Sequence, residues 1–446
     1  MTELTNNSAR KKKIFILSNG CHESYMDTAM LEQYFDSKEK YVLVTDLAEA
    51  NLIILLGCSV MQGKEDETRE IIKMIEEHKS PGAKQVIAGC ISKVYPELIS
   101  SDEDSLSLTQ KIDDLLNPKY TDNHVNPHFP YKLYRKDGDD LMAVAKQHRR
   151  NKSLRLSITD TRGFIGTATV KLSGIATKLL SKYNNFIQQR IDVWDKGTYT
   201  IKISTGCYGN CSYCSIKQSR GTVRSRKIEK VVEDFKEGLS QGYTSFALIG
   251  TDIGDFGKDN KENLLDLLRR LVKLDGSFKI RLRNLNPRWL ISSAPQLCEL
   301  LVGGKISYIQ SPIQSGSNNV LKLMNRGYKA EDYLAVIKKI REACPNIFIK
   351  TQIIVGFPSE TAQDFLQDAL LYKSKLFNYI DVFGYTDRPN TQAMTLPNHL
   401  PPTVVSERNK KLLCKSLFSL APKQLVKNWL SSQNHLGRVS NRMQYS

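Results

Sequence analysis

The 446-residue sequence predicts an α/β protein with an amino-terminal parallel-sheet domain of the Rossmann or flavodoxin type, followed by a partial (βα)6 barrel. Short β-branched runs alternate with amphipathic helical stretches in the first hundred residues, and the same alternation resumes near residue 198. The chain also exceeds the length that one hydrophobic core usually supports. The predicted parts are an amino-terminal domain at 1–100, a basic linker or insertion at 101–195, the barrel at 196–394, and a carboxy-terminal helix with a basic tail at 395–446.

In the amino-terminal domain, local patterns predict four strands and two helices. The strands are Ile14–Ser18, Tyr41–Thr45, Leu52–Leu56 and Gln85–Ala88, and the helices are Asp27–Phe35 and Glu67–Glu77. Three cysteines, here called the amino-terminal cysteines, each follow a predicted strand within three residues: Cys21, Cys58 and Cys90. Because parallel strands open their carboxyl ends onto one edge of a sheet, these thiols could converge.

Residues 101–195 interrupt the pattern with an acidic, serine-rich start, scattered prolines and the basic run Gln147–Lys152, so we expect them to lie outside both cores. Within them, Ser173–Phe186 is compatible with a basic amphipathic helix. Six strand-like segments then predict the barrel, at 199–204, 244–250, 278–284, 307–313, 347–355 and 379–385. Helices are clearest at 226–240 and 328–343, and a final one is predicted over about 405–430. A six-unit barrel leaves a wide mouth at the strand carboxyl ends.

The loop after the first barrel strand has the spacing C-x3-C-x2-C. Its members are called the loop cysteines: Cys207, Cys211 and Cys214. Three thiolates can hold three corners of a [4Fe–4S] cluster and leave the fourth iron open. S-adenosylmethionine (SAM) can chelate that iron, and an electron from the reduced cluster then cleaves SAM to give a 5′-deoxyadenosyl radical. Structural zinc is disfavoured because it takes four ligands in paired spacing.

Taken singly, each amino-terminal cysteine resembles a small core residue. All three share a place at strand ends, and three thiolates would again leave one of the four irons open. Together these observations predict a second [4Fe–4S] cluster. Three other cysteines stand on predicted helices without cysteine neighbours, and we interpret them as core residues. They are called the helix cysteines: Cys298, Cys344 and Cys414.

The formal net charge of +17 is unevenly distributed. Lys and Arg exceed Asp and Glu by 9 in residues 131–190 and by 7 in residues 401–446, and these ranges are called the basic segments. The basic segments predict a surface that binds a polyanion or an acidic peptide, with a merely solvated basic face as the alternative.

No apolar run is long enough to span a bilayer, and Ile14–Leu17 is too short for a signal-peptide core, so a cytoplasmic location is expected. In that reducing compartment, clustered cysteines favour metal binding or catalysis over disulfides.

Several motifs resemble those of the radical SAM methylthiotransferases, which modify tRNA adenosines and a ribosomal protein. The resemblance covers about 12–100 and 198–394 and includes the three amino-terminal cysteine motifs. In the barrel, the matching stretches are Ser219–Arg226, Gly250–Asp252, Pro312–Ser317, Ile354–Thr361 and Tyr385–Pro389. The sequence departs from the residues usual in these family motifs at Ser24, Leu56-Gly57, Thr251 and Gln310. The family's carboxy-terminal TRAM domain, which grips substrate, has no room after the last motif.

The resemblance implies transfer of a methylthio group to an unactivated carbon of a tRNA base or a peptide, with SAM and two [4Fe–4S] clusters as cofactors. The second cluster would present the sulfur. The basic segments would hold the substrate in place of a TRAM domain, and a flavodoxin or ferredoxin would supply electrons. The alternatives are a radical SAM enzyme that inserts sulfur or makes another change in a peptide or small natural product, and, less favoured, a non-enzymatic iron–sulfur protein.

Several motif residues follow barrel strands, and their positions predict roles around the barrel mouth. Tyr213 is expected to lie against SAM, with aromatic packing as the alternative, and Asp252 to bind SAM or substrate, with a structural cap as the alternative. Gln314 and Ser315 could line the mouth or shape a turn. The remaining polar residues of these motifs are predicted to be structural: Arg220, Arg224 and Arg226 as surface or helix-start contacts, and Glu360 as a helix cap.

Overall fold

The structure, a computed structural model, describes residues 11–19, 22–59, 62–99, 103–116 and 197–419, which group into two compact units. The first unit contains the described residues as far as Leu116, together with Thr205–Cys207 and Cys214–Thr222. The second contains the other described residues from 197 onward. The helix expected at Ser173–Phe186 and most of the basic segments lie outside the described residues. Among the described helices, none has the length and apolar character needed to cross a membrane.

A four-stranded parallel sheet forms the centre of the first unit, with strand order β2-β1-β3-β4. Its strands are β1 (Lys12–Ser18), β2 (Tyr41–Leu43), β3 (Leu52–Gly57) and β4 (Lys84–Gly89). Its helices are α1 (His22–Asp36), α2 (Gln62–His78), α3 (Cys90–Val94) and α4 (Glu103–Leu116), with short 3-10 turns at Leu47–Glu49 and Pro96–Leu98. All six residues of β3 are buried, as expected for a central parallel strand covered on both faces.

Alternate residues of the strands supply two cores, one on each face of this sheet. Ile54 packs with Phe35 of α1 on one face, whereas Ile53 packs with Ile71 of α2 on the other. Within the range predicted as a linker, Glu103–Leu116 forms α4 and buries Ile112 in the first of these cores. Acidic and serine residues on a surface helix gave that stretch the composition of a linker.

The second unit contains the six-stranded parallel sheet that the sequence predicts, in the order β10-β9-β8-β7-β6-β5. Its strands are β5 (Tyr199–Lys202), β6 (Ser245–Ile249), β7 (Lys279–Leu282), β8 (Ile306–Gln310), β9 (Phe348–Val355) and β10 (Tyr379–Gly384). Its longer helices are α6 (Ile228–Ser240), α7 (Leu264–Val272), α8 (Pro287–Val302), α10 (Ala330–Ala343), α11 (Ala362–Leu371) and α12 (Pro402–Ser419). Shorter pieces from residue 197 onward are α5 (Ile216–Arg220, in the first unit), α9 (Asn318–Leu323), 3-10 turns at Ile253–Asp255 and Gln392–Thr395, and the two-residue strands Ser204–Thr205 and Arg224–Ser225, of which Thr205 belongs to the first unit.

The two faces of the six-stranded sheet differ in chemistry. Apolar residues such as Leu248, Leu282 and Ile349 pack with the helices in one large core. Residues between them on the strands point to the opposite face, and several are polar and buried. There, the Arg283 Nε donates to Gln310 at 3.3 Å, and the Lys350 Nζ lies 3.0 Å from an Asp381 oxygen. Buried polar side chains therefore line this second face of the sheet.

Candidate cofactor sites

Strand register brings two amino-terminal cysteines to the same edge of the first sheet. Gly57 and Gly89 pair at the ends of β3 and β4, and Cys58 and Cys90 are the next residues. Both cysteine side chains are buried, with 3% and 4% of their surface exposed. The neighbouring strand β1 ends at Ser18, which pairs with Leu56 of β3, so its end opens onto the same edge. Cys21, three residues further on, lies outside the described residues.

Close packing fixes the backbone at this edge. A Cβ on Gly57 would stand only 2.4 Å from the Cγ2 atom of Ile91, so the position has room for glycine alone while Ile91 stays in place. The Asn19 side chain accepts a hydrogen bond from the Cys58 amide at 3.2 Å and donates to Thr68 at 2.9 Å. This asparagine, 1% exposed, was missed from the sequence; its signal is a polar residue directly after an apolar strand.

The donors at this edge fit an iron–sulfur cluster. Thiolates are the preferred ligands of such clusters, and Cys58 and Cys90 supply two of them. The Ser59 hydroxyl is also buried, and it has no hydrogen-bond partner among the described residues. An unsatisfied buried hydroxyl is costly and needs an explanation, and a nearby cluster sulfur or ligand would accept its hydrogen bond.

The loop cysteines follow β5 on a segment without regular helix or strand between Gly206 and Ser215. All three side chains are partly exposed. Gly206 has φ of +79°, and a Cβ there would lie 2.1 Å from the Thr222 carbonyl oxygen, so this position requires glycine. The Cys207 amide donates to the Gly221 oxygen at 3.2 Å. The loop therefore turns tightly immediately before its first cysteine.

Further contacts hold the middle of the loop within the second unit. The Tyr208 amide donates to Asp255 at 3.0 Å, and the Ser212 hydroxyl donates to the Leu323 oxygen at 2.8 Å. The guanidinium of Arg326 places Nη1 3.0 Å from the Cys211 sulfur. A positive donor suits a thiolate rather than a neutral thiol, so this contact also fits a cluster ligand. Arg326 was missed from the sequence, where a single arginine after an apolar helix gives little signal.

Asp252 stands at the carboxyl end of β6, where its side chain acts as a cap. It accepts hydrogen bonds from the Gly254 amide at 3.0 Å and the Asn286 amide at 3.4 Å. Burial, reinforced by the negative charge of Asp255, raises the pKa of Asp252 to about 6. The capping alternative therefore describes its contacts within the protein, and a role toward SAM stays a prediction.

Tyr213 and Gln314 also have defined surroundings. Tyr213 packs edge-on against Phe357, with ring centroids 6.4 Å apart, in a small apolar cluster. Gln314 has φ of +74° and pairs through its backbone with Gln352 and Ile354 of β9. These contacts support the packing and turn alternatives, and they leave the predicted SAM contacts untested.

Ser315 has no exposed surface, and its hydroxyl is engaged inside the protein. It donates to Asp368 at 2.8 Å and accepts from the Ser317 amide at 3.1 Å, at the start of α9. Burial raises the pKa of Asp368 to about 7, while hydrogen bonds from Gly316 and Ser315 act in the opposite direction. These contacts support the turn role for Ser315.

The structural roles predicted for the motif arginines and for Glu360 need correction. Arg220 is buried rather than on the surface, and its Nη1 lies 2.6 Å from Asp27 within the first unit. Arg226 is likewise buried and pairs with Asp234 at 2.5 Å. Glu360 does not cap α11, because Thr361 is the N-cap residue of that helix and forms a capping box with Asp364. Glu360 instead accepts the Gly356 amide and pairs with Arg408 of α12.

Comparison with known proteins relates both parts of the chain to protein families. Residues 201–371 match the model of the radical SAM superfamily, and residues 13–109 match the uncharacterized protein family UPF0004. A probable threonylcarbamoyladenosine tRNA methylthiotransferase from Archaeoglobus fulgidus is 26% identical over 90% of this chain and 82% of its own. The ribosomal protein uS12 methylthiotransferase RimO of Clostridioides difficile is 27% identical over 90% and 81%, respectively.

A third relative, the tRNA-2-methylthio-N(6)-dimethylallyladenosine synthase of Carboxydothermus hydrogenoformans, is 28% identical over 90% of this chain and 83% of its own. Each of these similarities extends over about nine tenths of this chain and four fifths of the relative. The chain thus resembles the radical SAM methylthiotransferases across both matched domains. The predicted family, fold class, enzyme class and cofactor types are therefore confirmed, whereas the individual site residues and domain limits stay predictions.

Among solved structures, the radical S-adenosylmethionine methyltransferase TsrM from Kitasatospora setae, with cobalamin and a [4Fe–4S] cluster bound, is similar in fold. Its TM-score is 0.51 at 13% identity, over 86% of this chain and 77% of that chain. At this identity the likeness between this chain and TsrM concerns the fold alone.

Proposed function

We propose that the loop cysteines hold the SAM-binding [4Fe–4S] cluster and that the amino-terminal cysteines hold a second cluster, which presents the sulfur for methylthio transfer. The main support for the first assignment is the buried guanidinium of Arg326, which directs an N–H group to the Cys211 sulfur, because a charged donor suits a sulfur that binds a metal. The second assignment is supported by two buried cysteines that directly follow paired strand ends.

When bound, SAM and the reduced cluster supply a radical that removes hydrogen from an unactivated C–H position, which electrophilic methyl transfer cannot functionalise. The chain's own residues orient and shelter these groups. Gly206 permits the turn that aims the loop, Ser212 ties the loop to the end of α9, and Asp255 holds the Tyr208 amide. We propose Tyr213, Asp252 and Gln314 as residues that face SAM, whereas the contacts of Ser315 fit a turn.

The substrate we propose is a macromolecule, a tRNA base or a protein side chain, which the basic segments help to bind. The relatives described above act on tRNA or on a ribosomal protein, and 16 of the 17 net positive charges fall within these two segments. We also propose a flavodoxin-like or ferredoxin-like electron donor and a cytoplasmic location, where cysteines remain reduced.

The two-cluster assignment predicts the iron content. After anaerobic reconstitution, the wild type should bind about eight irons and the variant with all amino-terminal cysteines changed to Ala about four, because each cubane holds four. The matched control changes the helix cysteines to Ala, which removes the same number of thiols and should leave about eight irons. Wild-type iron content in the amino-terminal variant would show that these cysteines hold no cluster.

The tRNA interpretation predicts a steep dependence of binding on salt. For single-stranded RNA, each phosphate contact lowers the logarithm of the association constant by about 0.7 per tenfold increase in salt. Changing Arg149, Arg150 and Lys152 to Ala should weaken tRNA binding and reduce that slope. The control changes three exposed lysines elsewhere to Ala: Lys322, Lys338 and Lys339.

Binding would be measured by fluorescence anisotropy, with total tRNA compared against acidic peptides. An acidic peptide lacks the condensed counterions of RNA, so its affinity should fall less steeply with salt. If tRNA binds weakly, with little salt dependence and no response to the three substitutions, the substrate is a protein, a peptide or a smaller molecule.

A further inference from the structure

Arg326 is a buried arginine that no role in the reaction yet explains. It follows α9, retains 5% of its surface exposed, and directs Nη1 to the Cys211 sulfur at 3.0 Å. Burying a guanidinium costs free energy unless its N–H groups are hydrogen-bonded. A residue kept buried in this way beside one particular sulfur is expected to serve that sulfur.

The rest of the guanidinium is fixed by two further hydrogen bonds. Nη2 donates to the Pro312 oxygen at 3.1 Å and Nε donates to the Tyr328 hydroxyl at 3.0 Å. The Tyr328 hydroxyl donates in turn to the Ile313 oxygen at 2.6 Å. Because Pro312 and Ile313 follow β8, the guanidinium is anchored to the end of the sheet, and its orientation toward Cys211 does not depend on the loop alone.

We propose that Arg326 is a positioning residue that donates a hydrogen bond to the Cys211 ligand of the SAM-binding cluster and thereby raises the reduction potential of that cluster. This inference rests on the proposed assignment of Cys211 as a cluster ligand. Arginine suits the role because it stays protonated and only donates hydrogen bonds.

The physical reason is the charge of the reduced state. One electron from a ferredoxin-like or flavodoxin-like donor adds one negative charge to the cluster and its thiolates, and no proton accompanies it. A fixed positive charge and an N–H···S hydrogen bond stabilise this added charge, most strongly where water is excluded. With SAM bound, the electron would pass on to the sulfonium, whose C–S bond would break to give methionine and the 5′-deoxyadenosyl radical, and the cluster would be left oxidised.

The test is an anaerobic redox titration followed by electron paramagnetic resonance. It uses the full-length protein with the amino-terminal cysteines changed to Ala, so that only the SAM-binding cluster contributes. Arg326→Gln should make the cluster at least tenfold harder to reduce, a shift of about 59 mV to lower potential for a one-electron couple. Arg326→Lys, which keeps the charge but loses the planar fork, should give a smaller shift in the same direction. Arg269→Gln, which removes an exposed positive charge on α7, is the control and should leave the potential unchanged.

A wild-type potential in Arg326→Gln with full iron content would overturn the proposal. If Arg326→Gln fails to retain iron, Arg326→Lys decides the question, and a wild-type potential in that variant overturns it equally. Failure of the cluster assignment itself has a different signature: Cys211→Ala would then keep the iron content and the resonance signal of the parent protein.

Discussion

Changing the three loop cysteines to Ala should abolish formation of 5′-deoxyadenosine from SAM. The reason is that the cluster supplies both the iron that chelates SAM and the electron that cleaves it, so no slower route remains when the cluster is lost. The expected effect is a loss to background in anaerobic assays with dithionite, in which 5′-deoxyadenosine is measured by liquid chromatography and mass spectrometry.

The amino-terminal cysteines should behave differently in the same assay. Their Ala variant should still cleave SAM but yield no methylthio product, because the cluster that presents sulfur is missing. The helix-cysteine variant serves as the control and should retain both activities. Equal loss of SAM cleavage in the loop and amino-terminal variants would contradict separate roles and would point to a structural function for the second cluster.

Arg220→Met should destabilise the protein by about 3–5 kcal/mol, the usual effect of removing one partner from a buried ion pair. The Arg220 guanidinium lies 2.6 Å from Asp27 and 3.8 Å from Glu23, and its side chain and both carboxylate side chains are each less than 10% exposed. Without the arginine, two carboxylates remain buried beside each other. The midpoint of urea unfolding, compared at equal iron content, measures the effect.

Two further variants separate the charge effect from general disruption. Combining Arg220→Met with Asp27→Leu should recover much of the lost stability, because one stranded charge is replaced by an apolar side chain. Lys230→Met removes an exposed partner of Glu233 on α6 and should cost less than about 1 kcal/mol. Arg220→Met with the unfolding midpoint of the wild type would mean that the pair contributes no net stability.

The sheets were predictable because their strands carry strong, short-range patterns. Leu52–Leu56 is a continuous apolar run, as a doubly covered parallel strand requires, and the strand of the structure extends it by one residue to Gly57. Boundaries of helices were less predictable: α1 begins at His22 rather than Asp27, because polar residues in its first turn hide the start. In the sequence of α4, the core residues Ile112 and Leu116 are outnumbered by acidic and serine residues.

The site was predictable where chemistry is local in sequence and less so where it depends on tertiary contacts. The cysteine spacing and the strand ends are visible in the sequence, and Cys58 and Cys90 lie at the same edge of the sheet. The partners of Arg220 are not visible, because Asp27 is 193 residues away along the chain. The engagement of Ser315 by Asp368 is hidden for the same reason.

The tight packing at Gly57 has a consequence for how this family can diverge. Any side chain at position 57 would meet the branched side chain of Ile91, and also Thr68, so a larger residue is tolerated only together with a smaller one opposite. Positions 57 and 91 should therefore covary among homologues, with glycine opposite a branched residue in some lineages and a larger residue opposite a small one in others. Substitutions next to Cys58 are then accessible in evolution as pairs rather than as single steps.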